Sequence, residues 1–253
     1  MFLLATPLEQ FQILPLFSIS FLFSDLTLSN STIIFGFALI FPVFLLHLLS
    51  STYSFDFLPK IFQFLLETFY LLVFNLLQDN VGSKGNSFFP YIFSFFILIL
   101  TANLSGLVSY SFTITSHLVI TFSFALAIFG AITFLCFQEH NLNFFSLFLP
   151  AGSSIFLALL LTPIEIVSYI FRPISLAVRL FANMMAGHTL LKVIVGFAWT
   201  MMLSFSGLVC IAHIVPLAVL VLLMFLELGV AMIQSYVFTI LACIYLNDSL
   251  NLH

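Results

Sequence analysis

Pro163–Leu191 reads PIEIVSYIFRPISLAVRLFANMMAGHTLL. Four ionisable side chains, Glu165, Arg172, Arg179 and His188, are set in an otherwise apolar run of helical character, and Lys192 follows just beyond it. Where such a run crosses a bilayer, a charge near its centre is expensive, and an intramembrane Arg, His or Glu marks an ion or proton pathway. A cation near the end of a span can instead snorkel to the interface. Snorkelling suits Lys192, and also Arg172, which precedes Pro173. It does not suit Arg179, near the middle of the stretch.

The rest of the chain supports a membrane setting. Of 253 residues, 63% are hydrophobic and 6% are charged, whereas a soluble domain carries about 25% charged residues. Lipid is therefore the expected solvent for most of the surface. The net charge of −4 and the absence of a basic cluster exclude nucleic acid as a partner. Cys136, Cys210 and Cys243 sit in apolar runs without CxxC or His/Cys spacing, so neither a disulfide, a metal site nor a cofactor is expected. The N-terminal MFLLATPLEQF has neither the basic n-region of a secretory signal nor the arginines of a transit peptide. A chain so apolar, with 36 phenylalanines, fits synthesis inside the organelle where it works, from an AT-rich genome.

A membrane helix needs about 20 apolar residues. One membrane domain, 1–253, is expected, with about five crossings and one interfacial helix. The first span is read at 33–51. Residues 57–78 differ, because Lys60, Gln63, Glu67, Asn75 and Gln78 recur near helical spacing among Phe and Leu. That is the pattern of an amphipathic helix lying in the interface. A polar break at 78–87 precedes spans at 88–110 and 117–137, joined by the short link SFTITS, and a second break covers 138–143. The last two helices, 153–195 and 206–245, exceed one bilayer thickness, so they are expected to tilt or bend. Lys60 and Lys84 follow the first span, whereas the segment before it carries Glu9 and Asp25 without Lys or Arg. The positive-inside rule then puts the N-terminus outside and the C-terminus inside.

Spacing arranges the charged groups. At about 100° per residue, Glu165, Arg172 and Arg179 nearly share a face, Ser175 and Asn183 flank Arg179 one turn away, and His188 points to the opposite face. Along the axis Glu165 is ~21 Å from Arg179, and His188 is ~13 Å beyond it. In the last helix Glu227 and Gln234 share a face. If the last two helices form an antiparallel hairpin, pairing His188 with Glu227 centres it at 207.5 and pairing Arg179 with Gln234 centres it at 206.5. Both centres fall beside Gly207, in the Ser204–Gly207 break. A histidine tuned by a carboxylate exchanges protons near neutral pH. Arginine keeps its proton, so it serves as a barrier and as a partner for a carboxylate that comes and goes. The plainer alternative for His188, a histidine satisfied by polar neighbours, loses ground once Glu227 is in register.

These residues carry a resemblance. RPISLAVRLFANMMAGH (172–188) resembles the signature of subunit a of F-type ATP synthases, and ELGVAMIQSYVFTILACIYLNDSLNLH (227–253) resembles its last helix in mitochondrial members. NLSGLVSYSFTITSHL resembles the link between the third and fourth helical segments, and TPLEQF resembles the N-terminus of plant- and protist-type versions. The resemblance implies an all-α stator subunit of the mitochondrial inner membrane with no covalent chemistry and no cofactor of its own. Two offset half-channels would pass protons to and from a ring of c subunits, with the peripheral stalk, other membrane-sector subunits and lipid as further partners. On this pattern Arg179 separates the channels, His188 and Glu227 form the inlet pair, and Glu165 is the outlet carboxylate. Asn183, Gln234 and Ser175 are polar neighbours of the arginine, and Asn103 lines the inlet side. Gly106 stands where many bacterial members have aspartate. The competing class is a secondary transporter or a respiratory-chain pump subunit. It would call for paired repeats or facing haem-ligand histidines, and neither pattern is visible. A plain membrane anchor leaves Arg179 unexplained. Protons are favoured over sodium because the inlet pair includes His188 and no cluster of carboxylate and hydroxyl oxygens accompanies it.

Overall fold

The structure is a computed structural model that describes residues 11–21, 24–52, 61–108, 112–140, 155–203 and 214–250. Several sequence expectations lie outside these residues: Glu9 and the TPLEQF run, 57–60 with Lys60, the break beyond His140, Ser153, the Ser204–Gly207 hairpin break and Cys210.

The protein is an all-α membrane protein with one small β-hairpin that the sequence reading did not contain. Strands β1 (Pro15–Phe21) and β2 (Ser24–Ser29) pair antiparallel. The pairing leads directly into α1 (Asn30–Thr52). Asn30 ties the two together, because its Oδ1 accepts from the Leu14 amide at 3.2 Å and its Nδ2 donates to the Gln12 carbonyl at 3.1 Å. Ser29 and Thr32 cap the helix reciprocally. The Ser29 amide donates to Thr32 Oγ1 and the Thr32 amide donates to Ser29 Oγ, which satisfies donors that a helix N-terminus leaves open.

The other helices are α2 (Ile61–Val81), α3 (Phe89–Gly106), α4 (Leu118–His140), α5 (Ile155–Leu203) and α6 (Ile214–Leu250). A 3₁₀ turn, Gly82–Phe88, occupies the expected polar break and joins α2 to α3. Gly82 begins it at φ +75°, a backbone conformation open to glycine. Among the described residues, four helical stretches are long and apolar enough to cross a membrane: Gln63–Gly106, Leu118–His140, Leu159–Leu203 and Ile214–Leu250. Asn30–Phe44 is apolar but shorter. The observed α5 outruns its expected end at 195: the helix continues through Gly196, and no proline stands between Val195 and Leu203. It contains Pro163 and Pro173, each of which removes a backbone donor from the ladder. The observed α6 starts at Ile214, with Pro216 in the first turn, where a missing N–H costs nothing.

Contacts gather the chain into two compact units. One comprises Met1–Leu45, Leu98–His117 and Leu180–Gln234; the other comprises Leu46–Ile97, Leu118–Arg179 and Ser235–His253. In the first, Ile99, Leu100, Ile114, Leu180, Met184 and Ala231 are buried, and Thr101 Oγ1 donates to the Ala38 carbonyl at 3.2 Å. In the second, Val73, Leu77 and Val81 make one buried stripe along α2, and Leu77, Val81, Cys243 and Leu246 pack together. Glu67, Asn75, Gln78 and Asp79 are exposed on α2, and so are Phe64, Leu65, Tyr70, Leu71 and Leu72. An apolar cavity of about 360 Å³ in this unit is lined by Tyr91, Phe95, Ile128, Leu135 and Phe238 among others. Cys136 and Cys243 are buried free thiols.

Candidate functional site

In the first unit, α5 and α6 meet through polar side chains. His188 Nε2 lies 3.4 Å from Glu227 Oε1, and the two side chains are 8% and 6% exposed. The separation is within ion-pair range, but neither atom has an aligned hydrogen-bond partner. The pair is therefore in contact without being locked, a state that a shared water or a transferred proton completes. Gly187 makes this approach possible: a Cβ there would stand 2.8 Å from Glu227 Oε1 and 3.1 Å from its Cδ. The carboxylate thus occupies the space that the missing side chain leaves free.

One turn or so further along, Asn183 Nδ2 donates to Gln234 Oε1 at 3.1 Å. The numbering of an antiparallel hairpin sets Gln234 against Arg179; its hydrogen bond goes to Asn183, four residues on. The offset follows from the equal-rise, no-offset assumption in that numbering. The His188–Glu227 register itself is as the numbering indicated. Asn103 of α3 is fully buried, and its Nδ2 donates to the Ala231 carbonyl at 3.4 Å. Ala231 sits on α6 between Glu227 and Gln234, so α3, α5 and α6 each supply a polar side chain to this region. His117, in the link before α4, stacks on Phe112 with ring centroids 4.9 Å apart. Burial holds its imidazole below the ordinary histidine range, which favours the neutral form.

In the second unit, Ser175 and Arg179 are exposed on α5, and Glu165 is partly exposed. Asn183, which belongs to the first unit, is exposed too. No ion pair to Arg179 is present among the described residues. Arg172 behaves differently. Its Nη1 lies 3.1 Å from Asp248 Oδ2, and its guanidinium lies 5.2 Å from the Tyr245 ring centroid and 5.7 Å from that of Tyr169. The snorkelling expectation for Arg172 missed this cage. Asp248, near the C-terminus of α6, was the available signal, because it is the one acidic residue of that helix beyond Glu227. Among the described residues no group of three His, Cys, Asp or Glu side chains could hold a metal ion.

A multi-pass helical chain with a buried His–carboxylate pair, and with an arginine exposed on one of the same helices, has the features of a membrane protein with an ion or proton pathway. The family description "ATP synthase A chain" matches residues 31–247. The chain is 53% identical to ATP synthase subunit a of Pylaiella littoralis, over 98% of this chain and 99% of that one. It is 48% identical to subunit a of Chondrus crispus, over 100% and 98%, and 44% identical to that of Brassica napus, over 98% and 97%. The chain belongs to the ATP synthase A chain family: it is the non-catalytic, proton-translocating subunit of the membrane sector.

Proposed function

We propose that this chain is the stator channel of a mitochondrial ATP synthase, delivering protons to a rotating c ring through one half-channel and removing them through another. In this reading protons enter from the intermembrane space and reach the His188–Glu227 pair, with Asn103 beside the path. They pass to a carboxylate of the ring and later leave toward the matrix past Glu165. Arg179 faces the ring and holds the two paths apart, flanked by Ser175, Asn183 and Gln234. The single observation that carries the reading is the buried, unlocked contact between His188 and Glu227 on a hairpin whose first helix also exposes an arginine.

Electrostatics favour this division of labour. A charge crossing 100 mV releases about 2.3 kcal/mol, and that energy becomes rotation only if protons cannot pass directly between the two paths. A guanidinium that never deprotonates blocks such a leak and attracts each arriving ring carboxylate. The apolar windows of α5 and α6 are only 11% buried within the chain, which leaves their flanks to lipid and to a partner such as the ring. The peripheral stalk and other membrane-sector subunits complete the assembly in this reading. The inner mitochondrial membrane follows from the resemblance to mitochondrial members described above.

Two measurements test it. Arg179→Ala is expected to leave the complex assembled and to abolish proton-driven ATP synthesis; wild-type synthesis in that variant refutes the barrier role. In a background lacking the native cysteines, the thiol of Glu165→Cys is expected to react with an impermeant reagent from the matrix side, and that of His188→Cys from the opposite side. Labelling of both from one side overturns the two-path assignment.

A further inference from the structure

Nine buried side-chain nitrogen or oxygen atoms have no hydrogen-bond partner among the described residues, and eight of them fall in the first unit. Four belong to the residues already discussed on α5 and α6: His188 Nε2, both oxygens of Glu227 and Gln234 Nε2. The other four are Asn103 Oδ1, Thr113 Oγ1, Thr115 Oγ1 and His117 Nε2. Thr113, Thr115 and Asn103 are 0% exposed. Buried polar atoms in native proteins are satisfied by protein or by water, and buried waters settle where several such atoms converge.

The set is contiguous. Asn103 reaches α6 through the Ala231 carbonyl, one turn from Glu227. Gly106 lies one turn along α3 from Asn103, and a Cβ on it would meet Thr113 Cγ2 at 2.9 Å. The missing side chain therefore lets the link 112–117 close onto α3 beside Asn103. Within the link, Thr113, Thr115 and His117 alternate. Ser116, between them, is satisfied by donating to the Thr113 carbonyl at 2.6 Å. The two threonine hydroxyls instead stay unpaired, although back-bonding to a nearby carbonyl is the ordinary fate of such a hydroxyl.

We propose that Thr113, Thr115 and His117 form the outer end of the inlet path, holding water that leads past Asn103 to Glu227 and His188. The proposal rests on the reading of His188–Glu227 as the inlet pair and assigns the link a role beyond joining α3 to α4. His117, kept neutral by burial, offers Nε2 to water at the mouth, and the two hydroxyls continue the hydrogen-bonded line inward. No covalent step is involved. The three residues position water, and the proton moves by exchange along it.

Thr113→Val and Thr115→Val nearly preserve shape while removing the hydroxyl, and proton flux is measured per assembled complex. On dry packing, loss of an unpartnered buried hydroxyl leaves flux unchanged and raises stability. On a wetted path, flux falls by about three- to tenfold, the effect of losing one hydrogen-bonding group. In parallel, Ag⁺, a small water-borne thiol reagent, is added from the inlet side to complexes carrying Thr115→Cys or His188→Cys in a background free of native cysteines, and protection of each new thiol from later alkylation is measured, a readout that does not require the variant to conduct. Protection of both supports the proposal. Protection at 188 alone, with valine variants that conduct normally, overturns it while leaving the inlet reading standing. Failure to protect at 188 removes the inlet reading, and this proposal with it.

Discussion

Replacing Gly187 by alanine isolates the contact on which the inlet pair depends. The new Cβ would stand 2.8 Å from Glu227 Oε1, 3.1 Å from Cδ and 3.4 Å from Cγ. Ordinary carbon contacts begin near 3.5 Å, so the carboxylate end must withdraw by about 0.7 Å, while the Cγ is almost comfortable where it is. The clash thus falls on the flexible tip of a side chain and not on the helices. Overpacking costs about 1–3 kcal/mol, and alanine for glycine in a helix interior returns about 1 kcal/mol. Folding should therefore change little. The His188–Glu227 separation, 3.4 Å at present, should widen beyond proton-sharing range, and misplacements of about 1 Å at a reacting pair cost up to ~100-fold. The expected outcome is normal complex content with proton-driven ATP synthesis reduced by about ten- to a hundredfold. Gly196→Ala, on the same helix with nothing within 4 Å of its Cβ, serves as the control. Equal synthesis rates in the two variants, at equal complex content, would refute the spatial argument.

Two further expectations follow from the same geometry. Because His188 and Glu227 touch, neutralising both should cost less proton flux than the sum of the single losses, and strictly additive losses in a double-mutant cycle would show that they act independently. Arg172→Ala removes an ion pair and two aromatic contacts and should lower resistance to chemical denaturation by about 1–2 kcal/mol. Arg172→Lys should recover only part of that, since an ammonium lacks the stacking plane.

Much of the fold was legible because, in so apolar a chain, polar residues carry the signal. The polar break expected at 78–87 holds the 3₁₀ turn Gly82–Phe88, the SFTITS link separates α3 from α4, and the His188–Glu227 register came from residue numbers alone. The β-hairpin was not found. Its alternation in PLFSISF and SDLTLS is short and lies among apolar residues that read equally well as helix or strand. The ion pair of Arg172 was not legible because its partner, Asp248, sits 76 residues away near the end of α6, and no local pattern joins them. Thr113, Thr115 and His117 looked like an ordinary link. Their burial is a tertiary fact, created when Gly106 lets the link approach α3, and hydroxyls of this kind give no periodicity to detect.

The exposed guanidinium of Arg179 has a consequence for how the protein is made. The residue lies near the middle of the apolar stretch Leu159–Leu203, and inserting an arginine at such a depth costs about 2.5–3.5 kcal/mol on insertion scales. A newly inserted chain that has not yet met its partner carries that cost against bare hydrocarbon. On the proposed reading a partner's carboxylates offset that cost, so the reading expects copies made ahead of the partner to be less stable in the membrane than assembled ones.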